Sequence, residues 1–271
     1  MELQTGISGK KYTQDDIDAV WSNTWQTEKD VSVVDLFGHH LFKAGYPVYK
    51  SYLPKTDFKL LEIGAGSGRY GFAIARDFPD SHVVLTDPVA SSVEVIEIAQ
   101  KKLSLSNITI ELADATKLQY DDETFDVVFA DAVIQHVIDF KTAMQELCRV
   151  LKPGGIMIVS AVNSNNPPHS AYKRFKKIRG EEYEYGYERT YKPYELRELF
   201  LKSGLADVSI DGFSVAYGML RLKKYRKVYG KLGTYLHKAV KLIDGITNRL
   251  ITKRYGFMLF AIGTKISTKT N

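Results

Sequence analysis

The chain has 271 residues, 44% of them hydrophobic and 25% charged, with a formal net charge of +5. That is enough for one large α/β domain with an insertion, or two small domains. A single cysteine, Cys148, excludes a disulfide framework, and no signal-peptide core or run of about 18 apolar residues is present, so a cytoplasmic protein, at most peripheral to a membrane, is expected.

Residues 13–29 read as a helix with Thr13 as N-cap and Asp16 in its first turn. A second helical stretch, 31–53, is expected to break near Pro47, and residues 1–54 together form an N-terminal helical cap. Beyond Pro54 the pattern alternates. FKLLEIG, SHVVLTDP, ITIELADA, TFDVVFADA and GGIMIVSAV read as five strands, with helices at GRYGFAIARDF, VASSVEVIEIAQKKL and DFKTAMQELCRVL. Strands apolar on both faces and separated by helices predict a doubly wound, mostly parallel sheet. Residues 164–190 lack this rhythm and carry many tyrosines. A helix at Tyr194–Ser203, a sixth strand at Ala206–Phe213 and a seventh at Gly256–Gly263 complete the pattern.

The stretch LLEIGAGSGRYG ends a strand in glycines and opens a helix. Such a turn exposes backbone N–H groups and the positive end of a helix dipole. Gly66, Gly68 and Gly71 also match a dinucleotide fingerprint, with Asp87 at about the distance of a ribose-binding acid, so the glycines alone fit NAD nearly as well. Glu62, inside the strand two residues before Gly64, moves the balance. A carboxylate there repels phosphate and suits a cationic ligand with an amino group. Asp114 and Ala115 follow the third strand, where a carboxylate and a backbone N–H can read an adenine edge.

With FDVV and LKPGG following in order, the sequence resembles the class I S-adenosylmethionine-dependent methyltransferases, from about Phe58 to Val162. The small-molecule and quinone-type branch fits best. The resemblance implies a seven-stranded sheet of order 3-2-1-4-5-7-6 with the last strand antiparallel, in a domain covering 55–271. It implies that Glu62, Gly64, Ala65 and Gly66 line the methionine moiety and that Gly68 allows the turn into the helix. It further implies that Asp87 accepts from the ribose hydroxyls, Pro88 packs on adenine, Asp114 and Ala115 read the adenine, and Asp131 faces the methionine end or the acceptor.

His136, just past the fourth strand, is the candidate catalytic group, against a plain reading as a locally satisfied helix start. Cys148 shares a helical face with Met144, Leu147 and Leu151 and reads as core. His39 and His40 point to different sides of a helix, and no metal-ligand spacing appears. NNPPH at 165–169 is similar to the N-P-P-aromatic motif of nucleic-acid base methylases, but it follows the wrong strand and reads as a rigid turn.

Trp21 and Trp25 fall one turn apart, as cover for the site or as core anchors. The tyrosines of 183–194 make 164–190 a lid-like segment over an amphipathic acceptor, or a surface loop. Between Gly218 and Tyr255 stand eleven lysines and arginines and one acid, Asp244. Leu222, Tyr225, Tyr229, Leu232, Leu236, Val240, Ile243, Ile246 and Leu250 recur there at three- or four-residue steps, with Gly230, Gly233 and Gly245 as breaks. This basic amphipathic insertion, 218–255, has three readings: a cap packed on the sheet edge, an anionic membrane surface contact, or RNA binding. Methyl transfer to a small-molecule or lipid-like acceptor is therefore expected. The alternatives are an RNA or protein methyltransferase, or a non-catalytic S-adenosylmethionine-binding protein.

Overall fold

The computed structural model describes residues 3–27, 33–217, 238–239, 242–246 and 249–267. A short hairpin of β1 (Gln4–Thr5) and β2 (Lys11–Tyr12) precedes three helices: α1 (Gln14–Thr27), α2 (Val33–Gly38) and α3 (His40–Lys50). Thr13 and Asp16 cap α1 reciprocally: the Thr13 hydroxyl accepts from the Asp16 N–H, and the Asp16 carboxylate from the Thr13 N–H. The helical stretch breaks at extended His39 and not at Pro47, which sits inside α3. Pro47 and Lys43, four residues before it, are both exposed, so water can satisfy the carbonyl that the proline leaves without a donor.

The large sheet contains β3 (Lys59–Ile63), β4 (His82–Asp87), β5 (Ile108–Leu112), β6 (Phe125–Ala130), β7 (Leu151–Val162), β8 (Leu205–Phe213) and β9 (Met258–Lys265). Their order is β5-β4-β3-β6-β7-β9-β8, which is 3-2-1-4-5-7-6 when the seven are counted from β3. β9 runs antiparallel to both its neighbours. The alternation of side chains divides the core into two faces. Leu60 and Val127 pack with Tyr49 and Phe72 on one face, and Leu61 and Val128 with Met144 and Leu147 on the other. α4 (Arg69–Asp77) and α5 (Ala90–Leu103) cover the first face. α6 (Phe140–Val150) and α8 (Pro193–Lys202) cover the second, with Cys148 buried among their residues.

The segment 164–190, which lacks the strand–helix rhythm in the sequence, contains α7 (Pro167–Ile178). Asn166-Pro167 is a helix start: the Asn166 side chain accepts from the His169 N–H, and the prolines occupy positions that need no donor. The last helix, α9 (Arg249–Tyr255), leads into β9. The breaks at Gly230 and Gly233, and the apolar positions Leu222, Tyr225, Tyr229, Leu232, Leu236 and Val240, lie outside the described residues.

Asn166 is fully buried, and its amide donates to the carbonyls of Val215 and Tyr255, both at 2.8 Å. Asn166→Ala removes the cap and leaves two carbonyls without a partner, so a loss of about 2–4 kcal/mol is expected in urea unfolding. A loss below about 1 kcal/mol would show that water replaces the amide.

Candidate functional site

The carboxyl ends of β3, β4 and β6 meet at one edge of the sheet, where parallel α/β sheets place ligands. β3 leaves through Gly64, Gly66 and Gly68, with φ of +59°, +59° and +69°. A Cβ on Gly64 would lie 2.6 Å from Val133, and one on Gly66 would lie 2.6 Å from the Trp25 ring, so the loop needs both the backbone freedom and the space. Asp87, at the end of β4, fastens it by accepting from the N–H groups of Gly66 (2.9 Å) and Val89 (3.0 Å).

After β6 the chain turns at Ala132, a non-glycine residue at φ +59°. The Ser160 hydroxyl accepts from the Ala132 N–H (2.9 Å) and donates to Asp131 (2.6 Å). The Tyr49 hydroxyl donates to the same Asp131 oxygen at 3.1 Å. This turn aims Asp131 into the cavity and seats Val133 against the glycine loop.

The cavity has a volume of about 330 Å³, at the lower end of the range for small-molecule sites. Its walls carry the carboxylates of Asp18, Glu62, Asp87, Asp131 and Glu188 against one guanidinium, Arg69. Lys173 offsets Glu188 at 3.3 Å. Such a surplus of negative charge favours a cation.

Glu62 sharpens that preference. It is buried beneath α4, where Gly71 has no side chain to collide with it. Its Oε2 has no hydrogen-bond partner. Burial, and then repulsion from Asp131, push its carboxyl up to about 8. Burial likewise raises Asp87 and Asp131 above the ordinary carboxylate range. An ammonium supplies the donor that this orphaned oxygen lacks and a sulfonium adds a positive charge that the acids favour, and S-adenosylmethionine carries both. The acidic walls and the open glycine loop fit that molecule.

The predicted residues divide into two groups. Glu62, Gly64, Ala65, Gly66, Asp87, Pro88, Asp131 and His136 all line the cavity. Gly68 instead caps α4. Asp114 and Ala115 are not among the wall residues: the Asp114 carboxylate turns back on the Thr116 N–H (2.8 Å) and hydroxyl (2.9 Å), and Ala115 is buried in the core. Asp18, from α1, stands in the wall within electrostatic reach of Asp114.

His136 is held at both nitrogens. Nδ1 lies 2.9 Å from the Tyr187 carbonyl, and Nε2 lies 3.1 Å from the Gln135 amide nitrogen. The Gln135 oxygen accepts from the Val162 N–H at 2.7 Å, which fixes the amide's orientation. The network therefore assigns the ring proton to Nδ1, with Nε2 accepting from Gln135. A proton taken at Nε2 would displace that donor, which weighs against His136 as general base.

Sequence reasoning missed Asp18, Gln135 and Glu188. Glu188 is a buried hub that accepts from His169 (3.0 Å), Lys173 (3.3 Å) and the Tyr183 hydroxyl (3.1 Å). Its only signal was an acid within a tyrosine-rich run. Trp21 stacks on Tyr185 at 5.3 Å and meets His136 edge-on at 5.0 Å, so both the tryptophan and the tyrosine segment serve as cavity wall.

Glu62 generates a pH dependence. Folded, it keeps its proton up to about pH 8, whereas its ordinary value is 4.5. Between these values the folded state binds the extra proton, so this contribution to unliganded stability is full below 4.5 and is lost as pH rises toward 8. Wild type and Glu62→Gln should therefore diverge in urea unfolding as pH rises, by up to about 1.4 kcal/mol per unit, with Gln the more stable. Parallel curves would show that Glu62 is ionised throughout.

A family model described as "Methyltransferase domain" matches residues 54–200. Phosphoethanolamine N-methyltransferase 1 of Arabidopsis thaliana is 33% identical over 129 residues, 46% of this chain and 26% of the plant protein. The chain thus matches about a quarter of that relative's length. A demethylmenaquinone methyltransferase of Shouchella clausii is 26% identical over 175 residues, covering 57% of this chain and 73% of its own. The fold is shared with Haemonchus contortus phosphoethanolamine N-methyltransferase 2, solved with phosphomonomethylethanolamine and S-adenosylhomocysteine. The TM-score is 0.62 at 17% identity, over 95% of this chain and 62% of that one. From the family match over 54–200, the glycine loop and the strand order, the chain belongs to the class I S-adenosylmethionine-dependent methyltransferase family.

Proposed function

We propose that the protein transfers the methyl group of S-adenosylmethionine to a small-molecule or lipid-like acceptor. The observation that carries this reading is the unpartnered Glu62 oxygen in the wall of a small, acidic, aromatic-lined cavity. The relatives are named for phosphoethanolamine and demethylmenaquinone, both small acceptors, which supports the acceptor class.

The bound donor supplies a methyl already activated on a sulfonium. The protein's task is alignment and exclusion of water, and orientation can contribute roughly 7–11 kcal/mol in favourable cases. In this reading Glu62 holds the amino group while Gly64, Ala65 and Gly66 admit the methionine chain. Asp87 keeps lone pairs for the ribose beyond its two backbone bonds. Pro88 lies at the adenine end, and Asp114 and Ala115 serve it from outside the wall. Residues 1–54 act as a cap through Trp21 and Trp25, and 164–190 acts as a lid anchored by Glu188. Asp131, held by Tyr49 and Ser160, faces the reacting end and takes a proton where the acceptor must lose one. His136 orients Gln135 and the tyrosine segment.

Two experiments test this reading. Labelled methyl should enter small-molecule or lipid fractions of a cell extract; label confined to RNA or protein would favour a large acceptor, and binding without label a non-catalytic role. Glu62→Gln should weaken S-adenosylhomocysteine binding about tenfold or more, and unchanged affinity would count against its assignment. With the acceptor in hand, Asp131→Asn should lower kcat by about 10²-fold and His136→Ala by less than tenfold. The reverse order would return the base to His136.

A further inference from the structure

Ile243 packs on Ala216, as a cap on the sheet edge would require. The neighbouring apolar side chains do not: Leu242, Ile246 and Leu250 are 66%, 74% and 79% exposed, and Ile251 and Tyr255 are exposed beside them. Lys238, Lys253 and Arg254 are exposed in the same stretch. Its one acid is turned inward, where Asp244 accepts from the Ala216 N–H (2.9 Å) and pairs with His40 (2.9 Å). Among the described residues of 238–255, the outer face carries cations and aliphatics and no acid.

This face is held in place. α9 approaches β8 so closely that a Cβ on Gly212 would lie 2.5 Å from the Thr252 carbonyl, and Arg249 donates to Asp211 on β8. The exposed aliphatics are therefore fixed outward. No helix among the described residues is long and apolar enough to cross a membrane.

We infer that this face docks on an anionic lipid surface, with Leu242, Ile246 and Leu250 entering the headgroup boundary and Lys238, Lys253 and Arg254 meeting lipid phosphates. Aliphatics spaced four residues apart and flanked by cations suit an interface that is apolar below and anionic above. A protein partner would want a contiguous apolar patch with few lysines. RNA would gain nothing from three exposed aliphatic side chains. The surface also lies near the site, because Ile243 packs on Ala216, and the adjacent Tyr217, which packs on Ala216 too, lines the cavity. An amphipathic acceptor held in the bilayer thus has a short route to the donor; this last step rests on the methyltransferase reading, whereas the surface does not.

The full chain should sediment with mixed phosphatidylglycerol–phosphatidylcholine vesicles at low salt, weakly with phosphatidylcholine alone, and less as salt rises. Lys253→Gln with Arg254→Gln should lower partitioning by about 25-fold, at roughly fivefold per cation. Ile246→Asp with Leu250→Asp should lower it at least tenfold. All variants should keep S-adenosylhomocysteine affinity, which confirms folding and reports separately on the cofactor reading. No sedimentation with anionic vesicles, or equal sedimentation with neutral ones, overturns the proposal. So does RNA capture, or self-association through Ile246 and Leu250, without vesicle binding.

Discussion

The buried carboxylate of Glu62 is the constraint around which the site is organised. A carboxylate with an unpartnered oxygen inside a fold is costly to ionise, and here the nearest strong field is that of another acid, Asp131. The unliganded protein answers by keeping the proton. In the proposed reading a cationic ligand reverses that balance by pairing with the orphan oxygen. Glycines make this possible: Gly71 leaves room for Glu62 under α4, and Gly64 and Gly66 open the space above it. On the proposed function, cofactor affinity is thus gained from an arrangement that destabilises the empty protein.

A second buried acid organises the opposite wall. Glu188 gathers His169 from α7, Tyr183 from the following loop and Gln135 from the turn after β6. The loop 181–191 would otherwise be a flexible tyrosine-rich connection. These bonds fix it so that Tyr185 stacks on Trp21, and the N-terminal helix and the loop close over one cavity. Lys173 offsets the charge, so Glu188 orders the wall.

Much of this was legible in the sequence, for physical reasons. The strands of a doubly wound sheet are apolar on both faces, and Leu60 and Leu61 advertise that at once. The glycine loop and Glu62 could be placed because their chemistry is local: a turn, a helix start and a carboxylate in a strand. What the pattern did not reveal was where each side chain points and which partner holds it. Pro47 looked like a break because periodicity does not reveal that Lys43 faces water. Asn166 looked like a turn because its partners, Val215 and Tyr255, lie 49 and 89 residues away. His136 looked like a base because nothing local says that Gln135 is pinned by Val162. Asp114 was expected at the adenine edge, and the pattern does not reveal that its carboxylate accepts from the Thr116 hydroxyl outside the cavity wall.

The basic stretch shows the same limit from the other side. Periodicity detects an apolar stripe and cannot say whether it faces the protein or the solvent. Asp244 decides the matter here. Its bonds to His40 and the Ala216 N–H fix one side of the helical turn at 242–246 against the body of the protein and seat Ile243 on Ala216. Leu242 and Ile246 must then point away. The residue that carries the only negative charge in a basic segment thus removes that charge from the outer surface and turns two aliphatics toward it.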